Sequence, residues 1–378
     1  MSSATKDTSG TIIDTIQSLL VAFVLAMLFR GFVIEGFVIP TGSMAPTLMG
    51  RHVLVESKQT GSVTPVGLDT GGLPPNGSLL RDYLAGRDQR FDRSTLKLSD
   101  ARWGDRILVS KWLYPFTSPT RWDPIVFKNP AQPEGAVGTY IKRLVGLPGE
   151  SIWIIDGDLF VQSEGEAFRI ARKPPHMRAR VWQPVWSSRM LPATPGRLPI
   201  SWKGMPWKGD PASDWTESGH RLLSDTSDPV RLVWDSNRFP IDDWTAYNMF
   251  APVSGDLPVS DVRVAATLTP QATGLQAAFE LKARSHVIRY ELADGLAKIE
   301  MWPQSDPDNV TRMESQAPVW SAGQPVRFVA EHVDQAARLI LDGVEVVELE
   351  YDWSPRQRLE AVAGMGGPNR TDDELARR

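Results

Sequence analysis

Two short motifs hold the residues that could do chemistry in this chain. Ser43 ends the run Pro40-Thr41-Gly42-Ser43, and Lys142 lies about a hundred residues later in Tyr140-Ile141-Lys142-Arg143. The proline restricts the backbone and the glycine frees it just before the serine, which is typical of a hydroxyl presented on a tight turn. Such a serine becomes a nucleophile when a nearby base takes its proton. Taken alone, Ser43 is more simply a loop residue, so the hypothesis depends on its pairing with Lys142.

A lysine can act as that base only in its neutral form. A solvated lysine has a pKa near about 10.4, so it is neutral in fewer than about one molecule in a thousand at pH 7. Lowering that pKa by roughly three units takes about 4 kcal/mol, which a desolvated, apolar strand can supply. Strand alternation places Tyr140 and Lys142 on one face and Arg143 on the other. We therefore expect Lys142 to face inward against Ser43 in an apolar setting.

Composition excludes several other kinds of chemistry. The 378 residues carry a net charge of -4 and no basic tract, so nucleic acid is not an expected partner. Cysteine is absent, which rules out disulfides, thiolate zinc sites and a cysteine nucleophile. The five histidines lack metal-ligand spacing. The sequence therefore calls for neither a metal nor a cofactor.

An apolar segment near the N-terminus predicts a membrane span. Residues 19–29 are uninterrupted by polar side chains, and the stretch from Ile12 to Ile34 has the length of about 20 residues that a span requires. A cleaved secretory signal is the alternative, but no lysine-rich region precedes the segment and no small-x-small site follows it. We favour an uncleaved anchor. Its orientation is poorly determined, because Lys6 and Arg30 nearly cancel in a count of positive charges.

The rest of the chain is mainly β in its patterning. Period-two apolar runs are separated by turns, and Asp-Gly pairs at 156–157, 294–295 and 342–343 predict two-residue hairpins. Residues 59–103 are rich in Gly, Pro, Asp and Arg and interrupt this pattern, which favours an insertion or a loop. A second break covers roughly residues 163–245.

Four stretches together resemble type I signal peptidase. They are the anchor, Ile39 to Leu48, Gly104 to Lys111 with Arg121 to Lys128, and Tyr140 to Glu150 with its Lys-Arg-x-x-Gly-x-Pro-Gly run. The resemblance implies a Ser/Lys dyad of Ser43 and Lys142. It also implies an oxyanion hole made by the Ser43 N–H and the Thr41 hydroxyl.

Other residues take subordinate roles under the same resemblance. Arg143 resembles the structural arginine beside the base, although a surface ion pair is nearly as good an interpretation, and Tyr140 is a supporting neighbour. The apolar side chains that we assign to substrate binding are Phe37, Ile39 and Met44, with core packing as the alternative. By resemblance, the substrate lies extended against a strand edge and presents small residues in an Ala-x-Ala pattern to shallow pockets.

The last signature of that family, a Gly-Asp-Asn run followed by Ser-x-Asp-Ser-Arg, is not found. Trp234-Asp235-Ser236-Asn237-Arg238 has similar letters in a different order, and residues 367–370 match less well. Two interpretations remain open. Either the chain is truncated before that segment, which we favour, or it is a degenerate homologue whose lysine lacks its partner.

A looser resemblance covers the second half of the chain. Residues 262–301 and 326–351 alternate like a β-sandwich and are similar to the concanavalin-like and laminin-G-like jelly rolls. Such a domain binds a glycan or a protein, or merely enlarges the protein. His286 and His332 are expected to be strand residues rather than ligands. Seven tryptophans suggest a sugar-stacking platform, with a buried aromatic core as the more favoured reading: Trp182, Trp186, Trp202, Trp207, Trp215, Trp234 and Trp244.

These observations predict a mainly β chain with an N-terminal transmembrane helix, a signal-peptidase-type β catalytic domain and an inserted jelly-roll-like β-sandwich. The expected parts are a tail at 1–10, an anchor at 11–34, a catalytic core at 35–58 and 104–162, an insertion or loop at 59–103, an inserted β-rich region at 163–355 with its sandwich at 246–355, and a tail at 356–378.

The predicted function is a membrane-bound serine endopeptidase that removes signal peptides from exported preproteins. We expect a single-pass protein of the cytoplasmic (inner) membrane with its catalytic domain on the outer face. Thirteen residues separate Arg30 from Ser43, or at most about 45 Å of extended chain, which keeps the serine near the lipid bilayer. The alternative is a catalytically incomplete, membrane-anchored scaffold whose jelly roll binds a glycan or protein ligand. A self-cleaving Ser-Lys regulator explains less, because it accounts for neither the anchor nor the Gly-Leu-Pro-Gly turn.

Overall fold

The computed structural model of the chain describes residues 8–56, 63–68, 72–73, 75–77, 79–82, 87–90, 100–131, 138–188, 206–218, 221–237, 239, 241 and 259–363. The fold separates into two compact units. The first unit contains Met1–Leu144, Arg180–Phe239 and Thr245–Val253. The second contains Val145–Ala179, Pro240–Trp244 and Ser254–Arg378.

Most of the regular structure is β-strand. The helices are α1 (Thr8–Phe32), α2 (Pro175–Val181) and α3 (Pro355–Ala363), with a 3-10 turn at Ala212–Asp214. The strands before residue 145 are β1 (Ile34–Val38), β2 (His52–Glu56), β3 (Val63–Gly67), β4 (Leu79–Asp82), β5 (Arg87–Arg90), β6 (Arg106–Ser110), β7 (Pro124–Lys128) and β8 (Thr139–Arg143). The strands from 145 to 240 are β9 (Ser151–Ile155), β10 (Asp158–Gln162), β11 (Arg169–Ile170), β12 (Trp207–Asp210), β13 (Thr216–Ser218), β14 (Arg221–Leu223) and β15 (Arg231–Trp234). The remaining strands are β16 (Val262–Leu268), β17 (Ala277–Ala283), β18 (His286–Ala293), β19 (Leu296–Pro303), β20 (Thr311–Gln316), β21 (Val326–Val333), β22 (Ala336–Leu341) and β23 (Val344–Glu350).

Helix α1 is the predicted apolar segment. Its 21 residues from Ile12 to Phe32 have a mean hydropathy of 2.2, and none is buried against the rest of the chain. Leu, Ala and Met favour the helix, and it gives way to strand β1 at the β-branched pair Val33-Ile34. At 1.5 Å per residue, this stretch is about 32 Å long, which matches a hydrocarbon core of about 30 Å. The helix is therefore long and apolar enough to cross a membrane.

The first unit is assembled from small antiparallel sheets of two strands each. Its described pairs are β1–β6, β2–β3, β4–β5, β7–β8, β12–β15 and β13–β14. The β2–β3 hairpin encloses a small core of Val53, Val55, Val66 and Leu68. Residues 63–67 lie in the range that was predicted as an insertion or loop. They form a strand rather than a loop, because they pair with β2 and their alternating side chains pack into this core.

Tryptophans of the first unit pack on one another. Trp207 lies edge-on to Trp234, with ring centroids 5.2 Å apart, and Trp234 also meets Trp186 and the buried Phe239 edge-on. The Trp234 indole N–H donates to the Phe239 carbonyl oxygen at 2.8 Å. This packing favours the aromatic-core interpretation over a sugar platform. Trp202 and Trp244 lie outside the described residues.

The second unit is organised around two four-stranded antiparallel sheets. One sheet has the order β16-β21-β22-β23 and the other β17-β18-β19-β20. Tyr290, Ile299 and their alternating neighbours from one sheet share a single apolar core with Leu339 and Leu349 from the other. The buried Tyr290 hydroxyl donates to the Glu331 carbonyl oxygen at 3.0 Å, which links the two sheets. The two sheets therefore form a β-sandwich within residues 262–350.

The strand order of this sandwich differs from the predicted jelly roll. A jelly roll consists of two Greek keys. Here β17 to β20 are consecutive hairpins in one sheet, and β21 to β23 are consecutive hairpins in the other. The described strands therefore form two meanders, joined by the pairing of β16 with β21.

The predicted Asp-Gly hairpins are present. Turns at 156–157, 294–295 and 342–343 connect β9–β10, β18–β19 and β22–β23, and all six residues have positive φ. Two further turns reach the same conformation without glycine. Arg284-Ser285 connects β17–β18, and Asp334-Gln335 connects β21–β22. Aspartate, like asparagine, adopts positive φ more readily than most residues, which explains Asp334 but none of the other three.

Histidines of the sandwich are strand residues, as predicted. His332 is buried in β21, with Nδ1 2.7 Å from the Ser260 carbonyl oxygen and Nε2 2.8 Å from the Tyr351 hydroxyl. Burial is the main reason that its pKa falls to about 4. His286 lies in β18, where its ring packs near Trp353.

Buried ion pairs join distant segments of the second unit. Arg358 of α3 is 1% exposed and lies 2.9 Å from Asp156 and 3.1 Å from Asp158, which flank the β9–β10 turn. Arg284 also binds Asp156, and Lys173 binds Asp334. Residues 356–363 were expected to start a tail, but they form helix α3 because Arg358 and Leu359 pack against the β9–β11 sheet.

Candidate functional site

Ser43 lies on a loop whose two ends are tied together by one residue. The Ile39 N–H donates to the Asp105 carbonyl oxygen at 2.9 Å, and the Asp105 N–H donates to the Met49 carbonyl oxygen at 2.9 Å. The Asp105 side chain completes the clamp by accepting a 2.7 Å hydrogen bond from the Met49 N–H. Residues 39–49 therefore form a closed loop, with Ser43 near its middle.

Two glycines permit this closure. A Cβ on Gly104 would stand 1.8 Å from the Ile39 carbonyl oxygen, and a Cβ on Gly50 would stand 2.4 Å from the Thr41 carbonyl carbon. Both neighbours are backbone atoms, so a side chain at either position would displace the loop. The serine loop depends on glycine for close approach of backbone to backbone.

Strand β8 brings the lysine to this loop. It pairs with β7 in the register that sets Lys142 opposite Ile125 and Tyr140 opposite Phe127. Lys142 Nζ lies 2.7 Å from Ser43 Oγ and also donates to the Ile141 carbonyl oxygen at 3.0 Å. The Tyr140 ring lies on the same face of the strand, 5.8 Å from the ammonium. The two motifs that were singled out from the sequence therefore meet in space.

The Ser43 and Lys142 side chains are more exposed to solvent than the sequence predicted. We expected Lys142 to lie in an apolar, water-poor setting, but its side chain and that of Ser43 are both exposed. Strand β8 belongs to a sheet of two strands, and among the described residues no third strand pairs with it. The expectation of burial is therefore wrong for the chain by itself.

Arg143 points to the opposite face of β8 and ties the strand to the far side of the serine loop. Its guanidinium donates to the Thr47 hydroxyl at 2.8 Å and to the Trp122 carbonyl oxygen at 3.3 Å. Burial is the main cause that lowers the pKa of Arg143, and the nearby charge of Arg180 lowers it further. Among the residues that the structure describes, Arg143 thus holds β8 and the loop together through hydrogen bonds rather than through a surface ion pair.

The remaining predicted site residues separate into two groups. Thr41 is exposed on the serine loop, two residues before Ser43, and Phe37 is half-buried at the end of β1. Ile39 and Met44 are 3% and 6% exposed. Their burial favours the core-packing role that the sequence left open as the alternative to substrate binding.

Three residues of the site were not predicted from the sequence. Thr47 accepts from Arg143, Asp105 clamps the loop, and Trp122 contributes its carbonyl oxygen from a positive-φ conformation. Asp105 had a signal, since it lies within the Gly-Asp-Arg run of the resemblance. Thr47 and Trp122 also lie within stretches of the resemblance, but their hydrogen bonds to Arg143, 96 and 21 positions away in the chain, had no local signal.

One group of carboxylates in the second unit has the spacing of a metal site. Side-chain oxygens of Asp158, Asp261 and Asp334 lie within 4.8 Å of one another. Lys173 and Arg358 already supply cations to this group. Burial is the main cause that raises the pKa of both Asp158 and Asp261 to about 6. The cluster is therefore a network of ion pairs, in which burial disfavours the charged form of Asp158 and Asp261.

Comparison with known proteins adds a family to this geometry. The model of the signal peptidase family, peptidase S26, matches residues 12–75 and 97–184, which contain both Ser43 and Lys142. The two matched segments are similar to that family.

Individual signal peptidases are also similar to part of the chain. A signal peptidase I of Rickettsia bellii is 28% identical over 148 residues, which cover 39% of this chain and 39% of that protein. Signal peptidase I of Pseudomonas fluorescens is 27% identical over 154 residues, covering 40% and 38%, and that of Leptolyngbya laminosa is 29% identical over 122 residues, covering 30% and 54%. The chain thus spans about two fifths of the length of the first two relatives. No solved structure matches the chain.

Proposed function

We propose that the chain is a membrane-anchored serine endopeptidase that removes signal peptides from exported preproteins. The observation that carries the proposal is the 2.7 Å separation of Lys142 Nζ and Ser43 Oγ. The family match across both motifs and the apolar helix α1 support it. The proposed setting is the cytoplasmic membrane, with α1 as a single span and the dyad at the outer face.

In the proposed reaction, Ser43 is the nucleophile and Lys142 the general base. The neutral Lys142 amine takes the hydroxyl proton while Ser43 Oγ bonds to the scissile carbonyl carbon, whose oxygen becomes negative. The C–N bond then breaks, and the Lys142 ammonium protonates the leaving amine of the mature protein. Water attacks the remaining ester, with Lys142 again taking the proton. The bond between Ser43 Oγ and the carbonyl carbon then breaks, and the Lys142 ammonium returns its proton to Ser43 Oγ. The signal peptide leaves as a carboxylic acid, and the Ser43 hydroxyl is restored.

The proposed oxyanion hole consists of the Ser43 N–H and the Thr41 hydroxyl. Both belong to the loop that Asp105 closes, so they are held at a fixed spacing before the substrate arrives. Preorganised donors of this kind stabilise the negative oxygen of the intermediate. Thr41→Val is expected to lower kcat by about 10²–10³-fold with little change in KM.

The substrate supplies the water exclusion that the free chain lacks. A lysine is a base only when neutral, and removal of water favours the neutral form. Lys142 is exposed on β8, one edge of which has no partner strand among the described residues, so an extended peptide that adds to that edge covers it. We propose that this peptide presents small residues in an Ala-x-Ala pattern, which allow its backbone to approach the loop closely.

The test uses the full chain in detergent with a preprotein whose signal ends in Ala-x-Ala. Ser43→Ala and Lys142→Ala are each expected to lower the cleavage rate by about 10⁴-fold or more. Ser118→Ala and Lys128→Ala change residues of the first unit that are also exposed, and these variants are expected to keep the parental rate. Cleavage that survives both dyad substitutions would overturn the residue assignment. A parent that cleaves nothing would favour the scaffold alternative.

A groove on the sandwich favours ligand binding as a second function of the chain. It has a volume of about 350 Å³ and is lined by Arg289, Glu291, Glu300 and Trp302 together with Pro307 and Val310. A tryptophan ring beside charged hydrogen-bonding groups suits a glycan or a polar segment of a protein. Titration calorimetry with soluble cell-wall glycan fragments tests this idea. Binding that Trp302→Ala abolishes supports a glycan, and no heat from the parent chain rules out this glycan class.

A further inference from the structure

One side chain joins the end of helix α1 to the strand that leads to the serine loop. Lys111 directly follows β6, and its ammonium lies 2.6 Å from the Glu35 carboxylate in β1. The same ammonium donates to the Gly31 carbonyl oxygen, in the last turn of α1, at 3.4 Å. The Lys111 backbone N–H donates to the Val33 carbonyl oxygen at 2.9 Å. Lys111 therefore holds the helix end and the start of β1 together through three contacts.

The covalent connection by itself leaves the angle between helix and strand free. Val33 is the single residue between α1 and β1, so a change of its φ and ψ would swing β1 relative to the helix. The apolar stretch of α1 is 0% buried against the rest of the chain, so packing of this helix does not fix the angle either. Among the described residues, the contacts of Lys111 cross this junction and restrict the angle.

Positive charges converge on Glu35 at this junction. The pKa of the Glu35 carboxyl is lowered chiefly by its hydrogen bond with Lys111, against a smaller opposing effect of desolvation. The charges of Lys111, Arg30 and Lys128 lower that pKa further. Glu35 is therefore ionised at neutral pH and attracts the ammonium, which strengthens the hydrogen bond between them.

The β1–β6 ribbon, the antiparallel pair formed by these two strands, connects this junction to the serine loop. Its register has no shift along all five residue pairs. At its far end, the Ile39 N–H donates to the carbonyl oxygen of Asp105, which closes the serine loop. The six residue steps from Val33 to Ile39 span about 20 Å of strand. A rotation of about 15° at Val33 would therefore displace the loop by about 5 Å, which exceeds the rise of one residue in an extended peptide.

We propose that Lys111 is a positioning residue, which fixes the distance between the membrane-spanning helix and Ser43 and so selects the peptide bond that is cut. This inference rests on the proposed function. A signal peptide contains an apolar segment of about 7–15 residues, which lies in the same bilayer as α1. The distance from that bilayer to Ser43 then decides how many residues of extended peptide separate the apolar segment from the cleaved bond. Lys111 acts through β1 and Asp105 rather than on the reacting atoms.

The test offers two cleavage sites in one preprotein. Two Ala-x-Ala sequences follow a single apolar segment, and the second stands three residues, or about 10 Å, farther from it. The full chain is reconstituted in phospholipid vesicles, and mass spectrometry of the mature product gives the ratio of the two cuts. Lys111→Met removes the ammonium, Lys111→Arg keeps a cation, and Lys282→Met changes an exposed lysine of β17 as the matched control. A soluble Ala-x-Ala peptide without an apolar segment reports the kcat of the dyad by itself.

Lys111→Met is expected to change the ratio of the two cuts by about two- to fivefold, which is the effect of losing an exposed ion pair. The kcat for the soluble peptide should stay at the parental value, since the bilayer does not hold that peptide. Lys111→Arg and Lys282→Met should keep the parental ratio. An unchanged ratio in Lys111→Met would overturn the inference, as would a fall in kcat for the soluble peptide that matches the fall for the preprotein. A parent chain that cuts neither substrate refutes the proposed function together with this role of Lys111.

A distance measurement checks the same inference without cleavage. Because the chain has no cysteine, spin labels can be placed at Leu25→Cys in α1 and at Val38→Cys, 52% exposed at the far end of β1. Double electron–electron resonance then gives the distribution of distances between the two labels. Lys111→Met is expected to broaden this distribution by about 4 Å relative to the parent. Equal distributions in the two chains would contradict the positioning role.

Discussion

The two compact units hold their polar side chains in opposite ways. In the first unit, Ser43 and Lys142 meet at an exposed point between small sheets of two strands. In the second unit, Arg358 and its aspartate partners are buried beside a sandwich with one continuous core. A buried ion pair restricts which segments can pack together, whereas an exposed pair remains open to a substrate.

The comparison shows that the position of the serine loop and the stability of the fold depend on separate parts of the chain. The serine loop is positioned by a few backbone contacts at Asp105, Gly104 and Gly50, not by a large core. The sandwich has the larger apolar core of the described residues, but it contains neither member of the dyad. Damage to the sandwich core is therefore expected to affect stability, and damage to the loop contacts to affect catalysis.

The largest expected effect is on the sandwich core. Leu339 is fully buried between the two sheets, so Leu339→Ala leaves a cavity and lowers the free energy of unfolding of the second unit by about 2–5 kcal/mol. Urea denaturation measures the change. Val344→Ala, at the exposed first residue of β23, is the control and changes the same quantity by less than about 0.5 kcal/mol. A matching loss of cleavage rate per folded molecule would show that the two units are not separable.

The next largest effect is expected where the Gly104 backbone lies close to the Ile39 carbonyl oxygen of the serine loop. Gly104→Ala forces the Ile39 carbonyl oxygen away and shifts the loop, so the cleavage rate is expected to fall by about 10²-fold. Gly36→Ala is the matched control in β1, because its Cβ would meet Leu108 at an ordinary 3.8 Å. Steady-state cleavage of a preprotein compares the two variants. Parental activity in Gly104→Ala would mean that the loop does not need this contact.

A smaller, pH-dependent effect is expected at the buried aspartates. Burial raises the pKa of Asp158 to about 6, from 3.8, so the folded state binds a proton that the unfolded state has released between these values. Stability from this group is complete below about pH 4 and is lost as the pH rises through 6. Asp158→Asn removes this pH-dependent loss of stability, because asparagine does not ionise. Relative to the parent, its melting temperature should rise from pH 4 to pH 7, by the equivalent of about 2 kcal/mol. A difference that stays constant with pH would contradict the raised pKa.

The smallest effect is expected where β8 is tied to the serine loop. Thr47→Val removes the hydroxyl that accepts from Arg143, a loss of about 1 kcal/mol, and should lower kcat about fivefold without raising KM. Thr47→Ser keeps the hydroxyl and should keep the parental kcat. Equal rates for the two variants would show that the hydrogen bond does not position the dyad.

Local features were accessible from the sequence, and long-range ones were not. The Asp-Gly turns were predicted because glycine tolerates positive φ, whereas Arg284-Ser285 and Asp334-Gln335 carry no such signal. The meeting of Ser43 and Lys142 was expected from a family resemblance, since periodicity relates only near neighbours. The exposure of Lys142 could not be foreseen, because alternation assigns a residue to a face but not what covers that face. The bond of Lys173 to Asp334 spans 161 positions and has no local pattern.

The pairing of Arg358 with Asp156 and Asp158 also sets an order of events during synthesis. The β9–β10 turn leaves the ribosome about 200 residues before its arginine partner does. At the elongation rates of about 5–20 residues per second, its carboxylates wait for at least roughly 10 seconds. Helix α1 is made earlier still. The N-terminal segment can therefore reach a bilayer long before the later unit is able to close.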